Sequence, residues 1–329
     1  MILLPSRGFN GTVLAAFLVA FLTLPLSAQK PAPAAKAESP DFMRFVEAEK
    51  TDQLQAAIAT YRNAAGVEVD LVGCVHIGDE GYFQTLNQRL DEYDVVLYEL
   101  VGDPEALKSG APRKTSPIGF AQKMIKTLLR LEFQLDEIDY QKDHFVHADM
   151  TGEDFARAQE ENGESMLSVL LNGAMKKMEE AQKNGGAPDA NMAELANIDW
   201  GKMIRSLGTE EGANDLKRVM ARQFDQMETM TAAFGNEDGE SVLLTGRNKV
   251  AMDMVRKSVG QGKRRIAVFY GAAHLVDFDQ RLKALGFKPS RTTWVTAWDI
   301  PKKNGESNVP PQRKEKQPEA AKPRFRAPI

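Results

Sequence analysis

The chain has 329 residues, 43% of them hydrophobic, with 42 Lys and Arg against 46 Asp and Glu, a formal charge of -4, and one cysteine. Eight of the basic residues lie in the last 29 positions against three acids, which leaves the rest, Arg7 aside, near -10. That balance excludes a nucleic-acid surface, which needs a concentrated basic face, and the lone Cys74 excludes an intrachain disulfide, so a hydrophobic core has to hold the fold.

The amino terminus reads as an export signal: Arg7, an apolar core from Val13 to Leu26, and the small residues Ser27 and Ala28. Cleavage after Ala28 is expected, giving residues 1–28 as signal peptide and an exported, periplasmic or secreted chain. An uncleaved anchor is the alternative. The apolar run is shorter than the ~20 residues of a spanning helix, and no second one follows, so no stable transmembrane segment is expected after cleavage. Cys74 is far from the signal junction, which excludes a lipoprotein. Residues 29–40 read as a disordered linker and 301–329 as a disordered basic tail. The folded domain is expected over 41–300.

Within that domain Phe42–Ala48 and Gln53–Tyr61 read as strands, and Val67–Val75 as a third after the break at Ala64-Ala65-Gly66. A helix from Gly78-Asp79 to about Glu92 places Tyr82, Leu86, Leu90 and Tyr93 near one face. Asp94–Leu100 is the next strand, apolar until its acid, which makes a parallel βαβ unit. The pattern is helical from Pro104 to Glu137 and strand-like from His144 to Met150, and Thr151-Gly152-Glu153-Asp154 reads as a helix cap. Residues 151–237 carry almost no strand signal and read as a helical insertion or cap. A helix from about Glu240 to Val259, a strand at Arg265–Tyr270, a helix from Leu275 to Leu285 and a strand at Thr292–Trp298 complete an α/β order.

The strands after residues 67 and 265 both end in Gly-x-x-His: Gly73-Cys74-Val75-His76 and Gly271-Ala272-Ala273-His274. With 25 glycines and 4 histidines in the chain, chance supplies roughly 0.3 such matches. Two, at equivalent strand-to-helix positions, are a signal. The carboxyl ends of strands line the ligand crevice of an open α/β sheet, and His76, Glu99 and His274 all fall there. Gly73 and Gly271 remove a side chain where the backbone turns or something approaches closely. Imidazoles and a carboxylate suit a divalent transition metal ion with an open position for water. A strand-end histidine that caps a helix or binds a loop is the plainer alternative.

The stretches LVGCVHIGDEGYFQTLNQRLDEYDVVLYEL, LLTGRNKVAMDMV and IAVFYGAAHLVDFDQRLKALGF resemble the TraB/GumN family. That family is related to the Tiki metalloproteases and more remotely to the erythromycin esterase and ChaN-like proteins. It is marked by two Gly-x-x-His motifs and a glutamate ending the strand after the first. The resemblance implies a pseudo-symmetric α/β fold with a shared cleft, here a mixed sheet with flanking helices and a helical insertion. For the Tiki branch it implies metal-dependent peptidase activity. By position, His76 and His274 match the motif histidines, Glu99 the acid, and Arg247 and Asn248 the Arg-Asn pair on the helix before the second motif. Thr245-Gly246 stands where relatives often have an acid before the arginine.

Arg247 is expected either to bind a substrate carboxylate or oxyanion or to form a structural ion pair. His147 and Asp149, two apart in a strand, would share a face. They either complete a metal's shell, Asp149 backing an imidazole, or cap the helix at Thr151. Cys74 reads as a small core residue. The function expected is a metal-dependent hydrolase acting on a peptide or a related amide or ester bond, with Glu99 as ligand or general base. The competing readings are a binding protein for a metal complex, haem or peptide in the same cleft, and an interaction module whose helical middle is the working surface.

Overall fold

In a computed structural model of the chain the described residues are 41–105, 126–162, 206, 208–225 and 241–302. The expected signal, linker and nearly all of the tail lie outside them, as does most of the helical insertion. Among the described residues no helix is long and apolar enough to cross a membrane.

Seven strands form one mixed sheet flanked by helices. Its antiparallel part is built on β2 (Thr51–Arg62), which pairs with β1 (Met43–Val46) through its first half, with β3 (Glu68–Cys74) through its second, and with the last strand β9 (Lys288–Pro301) along its whole length. The parallel part runs β3, β8 (Arg265–Gly271), β5 (Val95–Tyr98), β7 (Phe145–His147). β8, from the last quarter of the chain, is slotted between β3 and β5. A two-stranded ribbon of β4 (Ile77–Gly78) and β6 (Glu132–Phe133) sits beside this sheet.

The unbroken apolar runs of β3, β5 and β8 follow from parallel strands being covered on both faces. Val72, Val96, Tyr98 and Phe269 pack on one face with Tyr82, Phe83, Leu86 and Leu90, the buried side of α1 (Glu80–Leu90). Leu71, Leu97, Val268 and Tyr270 point the other way. They meet Met252 and Val255 of α5 (Arg247–Gly260) and Leu275, Phe278 and Leu282 of α6 (Leu275–Ala284). In chain order α2 (Gln134–Glu137), α3 (Gly152–Glu161) and α4 (Glu210–Asp225) come between the ribbon and α5. Thr151 caps α3 by accepting from Asp154 N at 3.1 Å. Gly286, at φ 81°, follows α6 in the left-handed region that glycine tolerates.

Helix α4 is tied to the strands by charge. Arg218 Nε lies 2.8 Å and Lys302 Nζ 3.1 Å from the buried carboxylate of Asp52, and Lys217 Nζ lies 3.1 Å from Asp79. Burial alone would raise the Asp52 pKa; Arg218 and Lys302 hold it below its ordinary value.

Three local expectations differ from the fold. The helical pattern to Glu137 is interrupted by β6, because Glu132–Phe133 finds a ladder partner in β4 and long-range pairing overrides local periodicity. The strand from His144 stops at His147, so Asp149 lies beyond it. The two Gly-x-x-His settings also differ: His76 lies between β3 and β4, whereas His274 closes a 3-10 turn (Ala272–His274) leading directly into α6.

Two fully buried tyrosines give a test of the core. The Tyr61 hydroxyl donates to Asp279 Oδ1 at 2.6 Å, whereas among the described residues the Tyr98 hydroxyl has no partner. Tyr61→Phe is expected to cost about 1–3 kcal/mol in urea unfolding, because a buried carboxylate oxygen loses its donor, while Tyr98→Phe should be neutral within about 0.5 kcal/mol or stabilising. Equal losses would refute this account.

Candidate active site

Because β3, β8, β5 and β7 run parallel, their carboxyl ends reach the same edge of the sheet. The residues just beyond are His76, Gly271 with the turn to His274, Glu99, and Asp149. From the other side comes Arg247, first residue of α5, delivered by a five-residue π turn (Val242–Gly246). A π turn inside a helical run commonly marks a functional position.

Arg247 is the hub. It is 4% exposed. Its Nε lies 3.0 Å from Asp149 Oδ1 and its Nη2 2.6 Å from Asp149 Oδ2, a side-on pair of hydrogen bonds. Nη2 also donates to Glu99 Oε1 at 2.6 Å, and Nη1 approaches His274 Nε2 at 3.3 Å. The second oxygen of Glu99 accepts from the backbone N–H of Gly271 at 2.6 Å. Burial alone would raise the Glu99 pKa, but Arg247, with smaller help from its other neighbours and the Gly271 N–H, holds the carboxyl well below its ordinary value. Glu99 is therefore a buried anion at neutral pH.

His274 is held neutral. Burial, aided by the charge of Arg247, lowers its pKa to about 4 against the pull of Glu99. Its 3.6 Å separation from Glu99 Oε1 is accordingly not an ion pair at neutral pH. The proton position follows from its neighbours. Asn248 donates through Nδ2 to His274 O at 3.1 Å and to Asp277 Oδ2 at 2.8 Å, so its Oδ1, 2.6 Å from His274 Nδ1, is an acceptor. Nδ1 carries the proton, and Nε2 offers its lone pair to Arg247.

His76 is half-buried, with Nδ1 2.6 Å from Gln134 Oε1. Among the described residues its Nε2 has no hydrogen-bond partner. It lies against Gly271: a Cβ added there would stand 2.9 Å from His76 Nε2 and 3.3 Å from Glu99 Oε2. Glycine is needed at 271 because the imidazole and the carboxylate both crowd its backbone. Gly73 is needed for a different reason, since a Cβ there would lie 3.1 Å from Ala57 O and 3.1 Å from Leu275 Cδ2, in the packed core.

The structure thus brings Glu99, Arg247, Asp149 and His274 into direct contact, with His76 beside them. His147 stands apart. Its Nε2 donates to Leu100 O at 2.7 Å, and its ring packs 5.7 Å from that of Tyr98. It shares no face with Asp149, and Thr151 rather than Asp149 caps α3. Asp149 backs the guanidinium instead of an imidazole. The arginine is in a buried ion pair, and its acids come from β5 and the end of β7. Cys74 is buried, with its thiol pushed well up by burial and 3.1 Å from Gln134 Oε1. Gln134 was invisible in the sequence, since a single glutamine in a helical pattern carries no signal.

A divalent metal ion does not fit the donors as they are arranged. Glu99 Oε1, both oxygens of Asp149 and His274 Nε2 all face Arg247, and His147 Nε2 is committed to Leu100 O. Among the described residues His76 Nε2 has no hydrogen-bond partner, and it stands as a single free nitrogen. Among the described residues no group of three or more His, Cys, Asp and Glu is placed to hold an ion.

The depressed His274 pKa has a sign that can be checked. An unfolded histidine titrates near 6.5, so between about pH 6.5 and about 4 the unfolded chain takes up a proton that the folded one refuses. Stability is expected to fall as the pH drops through that window, and His274→Gln should flatten that part of the urea-derived profile. Parallel profiles for the two proteins would show that His274 is not held neutral by the fold. No family model, no curated protein and no solved structure matches the chain.

Proposed function

We propose that the chain is an exported hydrolase of the TraB/GumN and Tiki type, cleaving a peptide or related amide or ester bond at the sheet edge where His76, Glu99 and His274 meet. The observation that carries this reading is that His274 and the strand-end acid Glu99 both meet the buried guanidinium of Arg247, while His76 Nε2 and the second oxygen of Glu99 crowd the same glycine, Gly271. In this reading His76 Nε2 takes a proton from the attacking water as its oxygen bonds to the carbonyl carbon, and returns it to the leaving amine or alcohol oxygen as the C–N or C–O bond breaks. The Glu99 carboxylate, whose second oxygen crowds the same glycine, lies beside the ring that carries this proton. Arg247 and the Gly271 N–H keep Glu99 ionised and fixed while this happens. His274, neutral and bonded to Asn248, supports Arg247 from behind.

A metal-dependent form of the same reaction requires Arg247 to release Glu99 and His274, and no step is assigned to an ion here. The second reading is a binding protein for a metal complex, haem or peptide. It is favoured by the fact that both oxygens of Glu99 and of Asp149 already have donors, as in a rigid binding floor.

Purified protein tested on peptide, amide and ester panels separates these readings. Turnover is expected to drop about 10²–10⁴-fold in His76→Ala. Gly271→Ala should also lose turnover, since the added methyl displaces the His76 ring. Loss of turnover on chelation, restored by a divalent ion, would favour the metal-dependent form. Turnover unchanged in His76→Ala would reject the site, and no turnover with one ligand retained per chain would favour the binding protein.

A further inference from the structure

We infer that Gln134 is a positioning residue: its side-chain oxygen accepts the Nδ1 proton of His76 and so keeps the Nε2 lone pair turned toward Gly271 and Glu99. The inference rests on the proposed use of His76, and goes beyond it by naming what sets the state of that ring.

Gln134 grips His76 at two points. Its backbone N–H donates to the His76 carbonyl at 2.9 Å, one step beyond the Ile77–Phe133 rung of the β4–β6 ribbon, and its side-chain Oε1 lies 2.6 Å from His76 Nδ1. Two contacts from one residue fix both the main chain and the ring of the histidine. Gln134 is itself 4% exposed, and both ends of its amide are engaged. Nε2 donates to the Tyr140 hydroxyl at 2.7 Å, and Oε1 takes a second donor, the Cys74 thiol, at 3.1 Å. A neutral imidazole whose Nδ1 donates has its lone pair on Nε2. Nε2 is the nitrogen that crowds Gly271. An apolar residue would fill the space at 134 without a buried amide to satisfy, but it would leave the proton free to sit on either nitrogen.

The test is the tautomer of His76, read by long-range ¹H–¹⁵N correlation on the full chain labelled with ¹⁵N-histidine, at a pH where the ring is neutral. With four histidines in the chain, His76→Gln identifies the signal. The expected wild-type pattern is a protonated Nδ1 and an unprotonated Nε2. Gln134→Glu should preserve it, because a carboxylate also accepts from Nδ1, whereas Gln134→Met should lose it. A wild-type ring protonated on Nε2, or a Met variant with the wild-type pattern, overturns the inference. The wild-type spectrum decides even if neither variant folds. The readout needs no turnover, so a failed hydrolysis assay removes the proposed function without touching this result, and a wrong tautomer leaves the hydrolysis experiment standing.

Discussion

A guanidinium enclosed in protein has to be surrounded by partners of matching geometry, and the burial of Arg247 sets that requirement here. Removing either acid from such an arrangement leaves an uncompensated buried charge, at a cost of about 3–5 kcal/mol. The partners come from different parts of the chain: Glu99 beyond β5, Asp149 beyond β7, His274 beyond β8. They can meet only if those three strands run parallel and end together. Lysine would not substitute, because the side-on contact to Asp149 and the reach to Glu99 and His274 use the planar fork of arginine. The sheet order and the polar cluster are therefore one constraint seen at two scales.

The two histidines serve this cluster unequally despite their shared motif. Gly73 pairs with Tyr270, and Gly271 with Cys74, so the motifs are staggered by one residue across the β3–β8 ladder. One consequence is that Gly271, not Gly73, lies against the polar groups, while Gly73 faces the packed core. A second is that His274 turns inward to Arg247 and Asn248, whereas one nitrogen of His76 has no partner among the described residues. Sequence similarity between the two units does not extend to chemical equivalence.

Much of the frame was legible because its signals are local and strong. The apolar runs that became β3, β5 and β8 needed no tertiary information, nor did the buried side of α1 or the Thr151 cap. Glu99 stood out as an acid closing an apolar strand, and the histidines through their repeated spacing. What could not be read was decided by partners distant in sequence. β6 exists because β4 is there to pair with it. Asp149 was assigned to the face of His147 because the end of β7 is invisible in an alternating polar run. Asn248 and Gln134 matter through what their amides touch, and an amide leaves no periodic trace. The choice for Arg247 between a ligand and an internal acid depended on Asp149, ninety-eight positions away.

The slot between β3 and β5 bears on how the molecule is made. As the chain emerges from the ribosome, the first half supplies two strands that are not neighbours, each with an inner edge that finds its hydrogen-bonding mate only when residues 265–271 arrive. Until then those edges are open to mispairing. The parallel part of the sheet therefore cannot close without residues 265–271, and a product truncated before residue 265 would lack both a continuous sheet and the strand end that carries Gly271 and His274 to the charged cluster.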